Sequence, residues 1–93
     1  MINKIALGTA QFGMNYGVTN LDGHVHINEV IEILNFANES GINLLDTASS
    51  YGNSEEVLGK IGVEDYDIIT KTSSLEYGVD SVINNFFYSL EKL

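Results

Sequence analysis

Ile42-Asn43-Leu44-Leu45-Asp46-Thr47-Ala48-Ser49-Ser50-Tyr51-Gly52-Asn53-Ser54-Glu55-Glu56-Val57-Leu58-Gly59 is the stretch on which the fold turns. It opens with a short apolar run, Ile42 to Leu45, stopped by Asp46, which reads as a buried strand. After a polar segment, Asn53 or Ser54 starts a short helix through Glu55, Glu56, Val57 and Leu58, closed by Gly59 or Gly62. Asn53 and Glu56 stand at capping-box spacing. Just upstream, Asn28 reads as an N-cap with Glu29 in the first turn. Val30, Ile31, Ile33, Leu34 and Ala37 recur at helical spacing, and Gly41 falls at C′. A helix, a strand and a second helix in direct succession are the signature of βα units.

The same alternation extends to both ends. Ile2 to Leu7, closed by Gly8, reads as a first strand. Thr9 to Ile27 has little helical period and predicts an extended loop, with a hairpin-type turn at Asp22-Gly23. Glu64, Asp65 and Asp67 read as a solvated turn leading into a third strand, Asp67 to Lys71. The last segment places Val79, Val82, Ile83, Phe86, Phe87, Leu90 and Leu93 on one face of an amphipathic helix, in which Phe86-Phe87-Tyr88 reads as core and barrel-facing packing rather than a cofactor box. The order β-α-β-α-β-α means parallel strands joined by right-handed crossovers, an α/β fold. Three parallel strands leave two open edges, and the final apolar face demands a larger sheet. The sequence therefore reads as the front of something bigger.

Composition narrows the class. The 93 residues hold 44% hydrophobic and 18% charged side chains, enough apolar material for one domain's core. Zero Cys excludes disulfides and thiolate metal sites. Thirteen acids against four Lys give a net charge of −9, which disfavours a nucleic-acid partner. No apolar run has membrane-spanning length, and the N-terminus lacks a secretory h-region. A soluble, cytoplasmic domain is the expectation.

Chemistry in α/β folds gathers at the C-terminal ends of the strands. There the first strand delivers Gly8-Thr9-Ala10-Gln11-Phe12-Gly13. This is no dinucleotide fingerprint, because Ala10 takes the second glycine position, and no P-loop, because Met14-Asn15 follow Gly13. The second and third strands carry Asp46, Tyr51 and Lys71 to the same rim. An ammonium beside a phenol favours the phenolate, and a carboxylate would hold that ammonium charged and oriented. Such a set can give a proton to a carbonyl oxygen while hydride arrives at carbon. The bland readings stand beside it: Asp46 as a turn cap, Tyr51 as a packed rim residue, Lys71 as a solvated charge. Gly8 and Gly13 read as relief of backbone strain at the strand-to-loop switch. His24 and His26 flank Val25 without a third ligand nearby, so no metal site is expected.

The full strings settle between these readings by resemblance. Leu7-Gly8-Thr9-Ala10-Gln11-Phe12-Gly13, the segment Asp46-Thr47-Ala48-x-x-Tyr51-Gly52-x-Ser54-Glu55-x-x-Leu58-Gly59, and Ile68-Ile69-Thr70-Lys71 resemble the aldo-keto reductase family in order and spacing. The closing Ser89-Leu90-x-x-Leu93 is also similar to the family's third helix. The resemblance implies a TIM (β/α)8 barrel of about 250 residues, of which residues 1–93 hold the first three units of a single domain. It implies NADPH (NADP) as cofactor, an aldehyde or ketone as substrate, and Asp46, Tyr51 and Lys71 as catalytic residues, with Tyr51 as proton donor. Gly8, Thr9 and Ala10 correspond to backbone near the nicotinamide, and Asp46 to a residue that also touches the ribose. The family's catalytic His ends the fourth strand, beyond Leu93, and neither His24 nor His26 matches it. The 93-residue chain alone is therefore expected to be inactive. The alternatives are a truncated, non-catalytic α/β remnant that self-associates or binds a partner through open sheet edges, and an unrelated small-ligand-binding α/β domain. No nucleic acid, membrane or metal partner is expected.

Overall fold

A computed structural model describes residues 4–14, 24–72 and 74–93. The elements run β1 (Ala6–Gly8), α1 (Ala10–Gly13), α2 (Ile27–Glu39), β2 (Leu44–Asp46), α3 (Ser54–Ile61), β3 (Asp67–Ile69), a 3-10 turn at Leu75–Tyr77, and α4 (Val79–Lys92). The strands form one parallel sheet in the order β1-β2-β3. In its register Leu7, Leu45 and Ile68 form one row, and Gly8, Asp46 and Ile69 the next. Neighbours along a strand face opposite ways. The first row packs into the helices, while Gly8 and Ile69 of the second are exposed. Among the described residues only one face of the sheet is covered.

That covered face carries the core: Phe12, Val30, Leu34, Leu45, Val57, Leu58 and Val63. Of the stripe its spacing predicts, α2 buries Val30, Leu34 and Ala37, half-buries Ile33 against the core and leaves Ile31 exposed. Tyr66, ahead of β3, donates its hydroxyl to the Leu34 carbonyl at 2.6 Å and so ties the third unit to α2. Burial, with the charge of Asp65 adding, raises the Tyr66 pKa, which keeps this phenol a donor.

Four local expectations need correction, at Ala10–Gly13, Asn28, Asn53 and Phe86 to Tyr88, while the closure of α3 at Gly62 is as expected. The segment from Thr9 is not loop throughout, because Ala10–Gly13 closes one helical turn that buries Phe12. The Asp22-Gly23 turn lies outside the described residues. α2 begins one residue before Asn28, with His26 at the N-cap position, because the carbonyl of His26 already accepts from Glu29 and Val30. α3 runs through Gly59 and stops at Gly62, whose φ of +98° suits a glycine. No side-chain cap forms at Asn53. Finally, Phe86, Phe87 and Tyr88 are not core: they are 49%, 57% and 59% exposed, and the one buried residue of α4 is Ser89. α4 docks on α3 through Ser89; of its apolar stripe Val79, Ile83, Phe86, Phe87 and Leu90 are exposed, Val82 is half-buried, and Leu93 packs against the core. Gly41 follows α2 in the left-handed conformation expected of a C′ residue. Glu64, Asp65 and Asp67 are exposed, as a solvated turn requires.

Candidate active site

The register sets the positions of the rim residues before any side chain is considered. Gly8, Asp46 and Ile69 are level at the ends of the three strands. Each is followed by a threonine: Thr9, Thr47 and Thr70. Two rungs continue past the strands, from Thr9 N–H to Asp46 O at 3.1 Å and from Thr47 N–H to Ile69 O at 2.8 Å. Ser49 N–H then donates to the Lys71 carbonyl at 3.0 Å, and the Ser49 hydroxyl does the same at 3.0 Å. The two loops that follow β2 and β3 are thereby stitched side by side.

This stitching brings Asp46, Tyr51 and Lys71 together. The Lys71 ammonium pairs with Asp46 Oδ1 and donates to the Thr47 carbonyl at 2.8 Å. Its Nζ also lies 5.4 Å from the centroid of the Tyr51 ring, within cation–π range. The hydrogen bond to Asp46 raises the Lys71 pKa above its ordinary value. Partial burial opposes this effect, while the charge of Asp46 and the Tyr51 side chain add to it. The cation is thus held charged between a carboxylate and a phenol, with both side chains of the ion pair about half exposed.

Tyr51 and Asp46 line a cavity of about 420 Å³ together with Gly8, Thr9, Ala10 and Phe12. Gly8 is among the lining residues, and a side chain added there would meet nothing within 4 Å. Strain relief is not the need at Gly13. There a Cβ would come within 2.0 Å of the Tyr51 carbonyl oxygen and 2.2 Å of the Ser54 nitrogen. Absence of a side chain lets α1 press directly on the loop that bears Tyr51. Thr9, by contrast, is fully buried and its hydroxyl is used internally, donating to the Asp46 carbonyl at 3.0 Å.

The residues that sequence reasoning passed over are those beneath the rim. Ser54 Oγ lies 3.0 Å from Thr9 Oγ1, 3.1 Å from the Thr9 carbonyl and 3.0 Å from Thr47 Oγ1. Glu55 is 2% exposed, and its two carboxylate oxygens accept from Thr70 at 2.6 Å and from Ser89 at 3.0 Å. One signal was legible: Glu55 stands three residues before Leu58, on the helix's apolar side rather than its solvated one. His24 serves the fold, its Nε2 donating to the Phe12 carbonyl at 2.6 Å. Among the described residues no group of three or more His, Cys, Asp or Glu could hold a metal, and no helix is long and apolar enough to cross a membrane.

With this geometry in place, known proteins can be set beside it. The model of the Aldo/keto reductase family matches residues 4–92. Two solved structures from Pseudomonas aeruginosa, both provisionally described as aldo-keto reductases, superpose with TM-scores of 0.79 and 0.76 at 32% and 30% identity. Each covers 95% of this chain, which in turn spans 37% and 35% of theirs, little more than a third. No curated protein gives a significant match. The chain belongs to the aldo/keto reductase family.

Proposed function

We propose that this member of the aldo/keto reductase family contributes the proton-donating centre of a cytoplasmic, NADPH-dependent reductase of aldehydes or ketones. In this reading residues 1–93 are the first three units of one (β/α)8 domain, and the chain alone is inactive because units that complete the site lie elsewhere in the barrel. Family membership supports an oxidoreductase-type function. The observation that carries the more specific reading is the Lys71 ammonium, held between the Asp46 carboxylate and the face of Tyr51.

The residues present fit the cofactor. The cavity lies in the size range of small-molecule sites. Gly8 lines the cavity without a side chain, which suits close approach of a flat ring to its backbone. Gly8, Ala10 and Asp46 would hold the nicotinamide end, with Thr9 acting from behind by fixing the Asp46 carbonyl. When bound, NADPH supplies a hydride to the carbonyl carbon. The chain's own part is the proton. Tyr51 donates its phenolic hydrogen to the carbonyl oxygen, giving the alcohol, and is reprotonated from water. Lys71 stabilises the phenolate left behind, because a nearby cation favours the charged form. Asp46 keeps that cation in place and balances its charge.

The reading is tested by completing the barrel. This chain is joined in place of the 37% of the Pseudomonas aeruginosa protein that it matches, and NADPH oxidation is followed with 4-nitrobenzaldehyde. The completed barrel is expected to turn over at roughly 1 s⁻¹ or faster, and the 93-residue chain to stay at background. Turnover by the chain alone at that rate overturns the account of the missing units. A completed barrel that folds and binds NADPH without reducing any carbonyl overturns the proposed activity.

A further inference from the structure

The buried pair Ser54-Glu55 at the start of α3 has work that the proposed chemistry leaves unassigned. Three threonines lie in a row directly past the ends of β1, β2 and β3, and these two adjacent side chains reach all of them. Ser54 takes Thr9 and Thr47, both fully buried. Glu55 takes Thr70 with one carboxylate oxygen and Ser89 of α4 with the other. A carboxylate that is 2% exposed is costly to bury unless each oxygen is satisfied. Here both oxygens are satisfied, and one of the donors is the residue that precedes Lys71.

We infer that Glu55 is a positioning residue for Lys71, acting through Thr70, and that with Ser54 it sets the three strand ends in a single register from one point on α3. The inference rests on the reading of Lys71 given above. Its physical basis is leverage. Lys71 has a four-carbon stem with considerable rotamer freedom, and its ammonium must stay level with Asp46 Oδ1 and the Thr47 carbonyl. Ser49 fixes the Lys71 carbonyl from the β2 side. Glu55 fixes Thr70 from the α3 side. The residue is thereby held from two directions, and the carboxylate sits on an element that faces the core rather than the cavity.

Competitive acylation of the intact chain tests this, because it contains four lysines, Lys4, Lys60, Lys71 and Lys92, of which Lys4 and Lys60 serve as internal references. Amines react as the neutral form, so a lysine held charged by an ion pair reacts slowly. Glu55→Ala and Thr70→Val are each expected to raise Lys71 labelling threefold or more relative to Lys4 and Lys60. Ser89→Ala, which cuts only the α4 arm, should leave the ratio unchanged. Glu55→Gln, which keeps hydrogen-bonding atoms at both ends, should restore most of the protection. Near-UV circular dichroism reports whether each variant keeps its tertiary packing. If Glu55→Ala fails to fold, Thr70→Val decides alone, since it leaves the buried carboxylate its Ser89 partner. An unchanged Lys71 ratio in Thr70→Val, or an equal rise in Ser89→Ala, overturns the inference. Labelling needs no turnover, so failure here is distinct from failure of the proposed reduction, which the completed barrel reads separately.

Discussion

Deleting a single oxygen at Ser54 should destabilise the fold far more than a serine-to-alanine change usually does. Three hydroxyls, Thr47, Ser54 and Thr9, have one proton each and sit 3.0 Å apart in sequence, ending on the Asp46 carbonyl at 3.0 Å. The carbonyl can only accept, so Thr9 donates to Asp46; Ser54 then spends its proton on Thr9, at the hydroxyl or at the carbonyl 3.1 Å away, and Thr47 donates to Ser54. All three side chains are fully buried. Ser54→Ala leaves the Thr47 hydroxyl without an acceptor and the Thr9 oxygen without a donor. A stranded buried partner costs about 1–3 kcal/mol, so the two together give roughly 2–6 kcal/mol, a large share of the 5–15 kcal/mol of a typical domain. Urea unfolding followed by circular dichroism at one fixed protein concentration measures the loss. Thr47→Val/Ser54→Ala removes the stranded donor as well and should be more stable than the single Ser54→Ala variant by about 1 kcal/mol. A single-variant loss below roughly 0.5 kcal/mol, or strict additivity in the double variant, would refute the relay.

Lys71→Met should lower stability by a small amount, because the ion pair is half exposed and screened by solvent. The Lys71 pKa is raised in the folded chain. Its contribution is therefore fully present below the unfolded value of about 10.4 and lost as pH rises through the folded one. Unfolding midpoints of wild type and variant should differ by a constant amount from neutral pH to about 9 and converge above about 10.4; a gap that widens with rising pH contradicts the assignment. The apolar stripe of α4, with Val79, Ile83, Phe86, Phe87 and Leu90 all exposed, should drive self-association of the isolated chain. Light scattering on a sizing column should show a mass that climbs with concentration and falls to the monomer in Phe86→Glu/Phe87→Glu. The edge-to-face pair of rings, 5.5 Å apart, is the centre of that patch, and a wild-type mass independent of concentration would rule out this role for it.

The parts of the fold legible in the sequence are those governed by period. The apolar stripe of α2, the run ending at Asp46 and the amphipathic pattern of α4 each correspond to an observed element. Three kinds of feature were not legible. Whether an apolar stripe is covered depends on what lies opposite it, and period alone assigned Phe86 and Phe87 to a core that α4 does not form. Instead α4 approaches α3 so closely that a Cβ at Gly59 would lie 1.6 Å from the Lys92 carbonyl, a contact made possible by the glycine and by Ser89. The second kind is the long-range polar bond. Asp46, Tyr51 and Lys71 could be placed on one rim from strand order, yet the hydroxyl relay through Thr9 and Ser54 spans 45 residues and has no local signature. The one-turn helix at Ala10–Gly13 fell below the length at which helical period can be recognised.

The central claim is that Tyr51 gives up the proton, and a single substitution tests it most directly. In the completed barrel, Tyr51→Phe keeps the ring against Lys71 and removes only the hydroxyl. Rate constants with 4-nitrobenzaldehyde are measured beside the NADPH dissociation constant from protein fluorescence. The account predicts a kcat lower by roughly 10²–10⁴-fold, with NADPH affinity within about twofold of the parent, because the lost interaction belongs to the transition state rather than to binding. A Tyr51→Phe barrel that retains most of its kcat would contradict it.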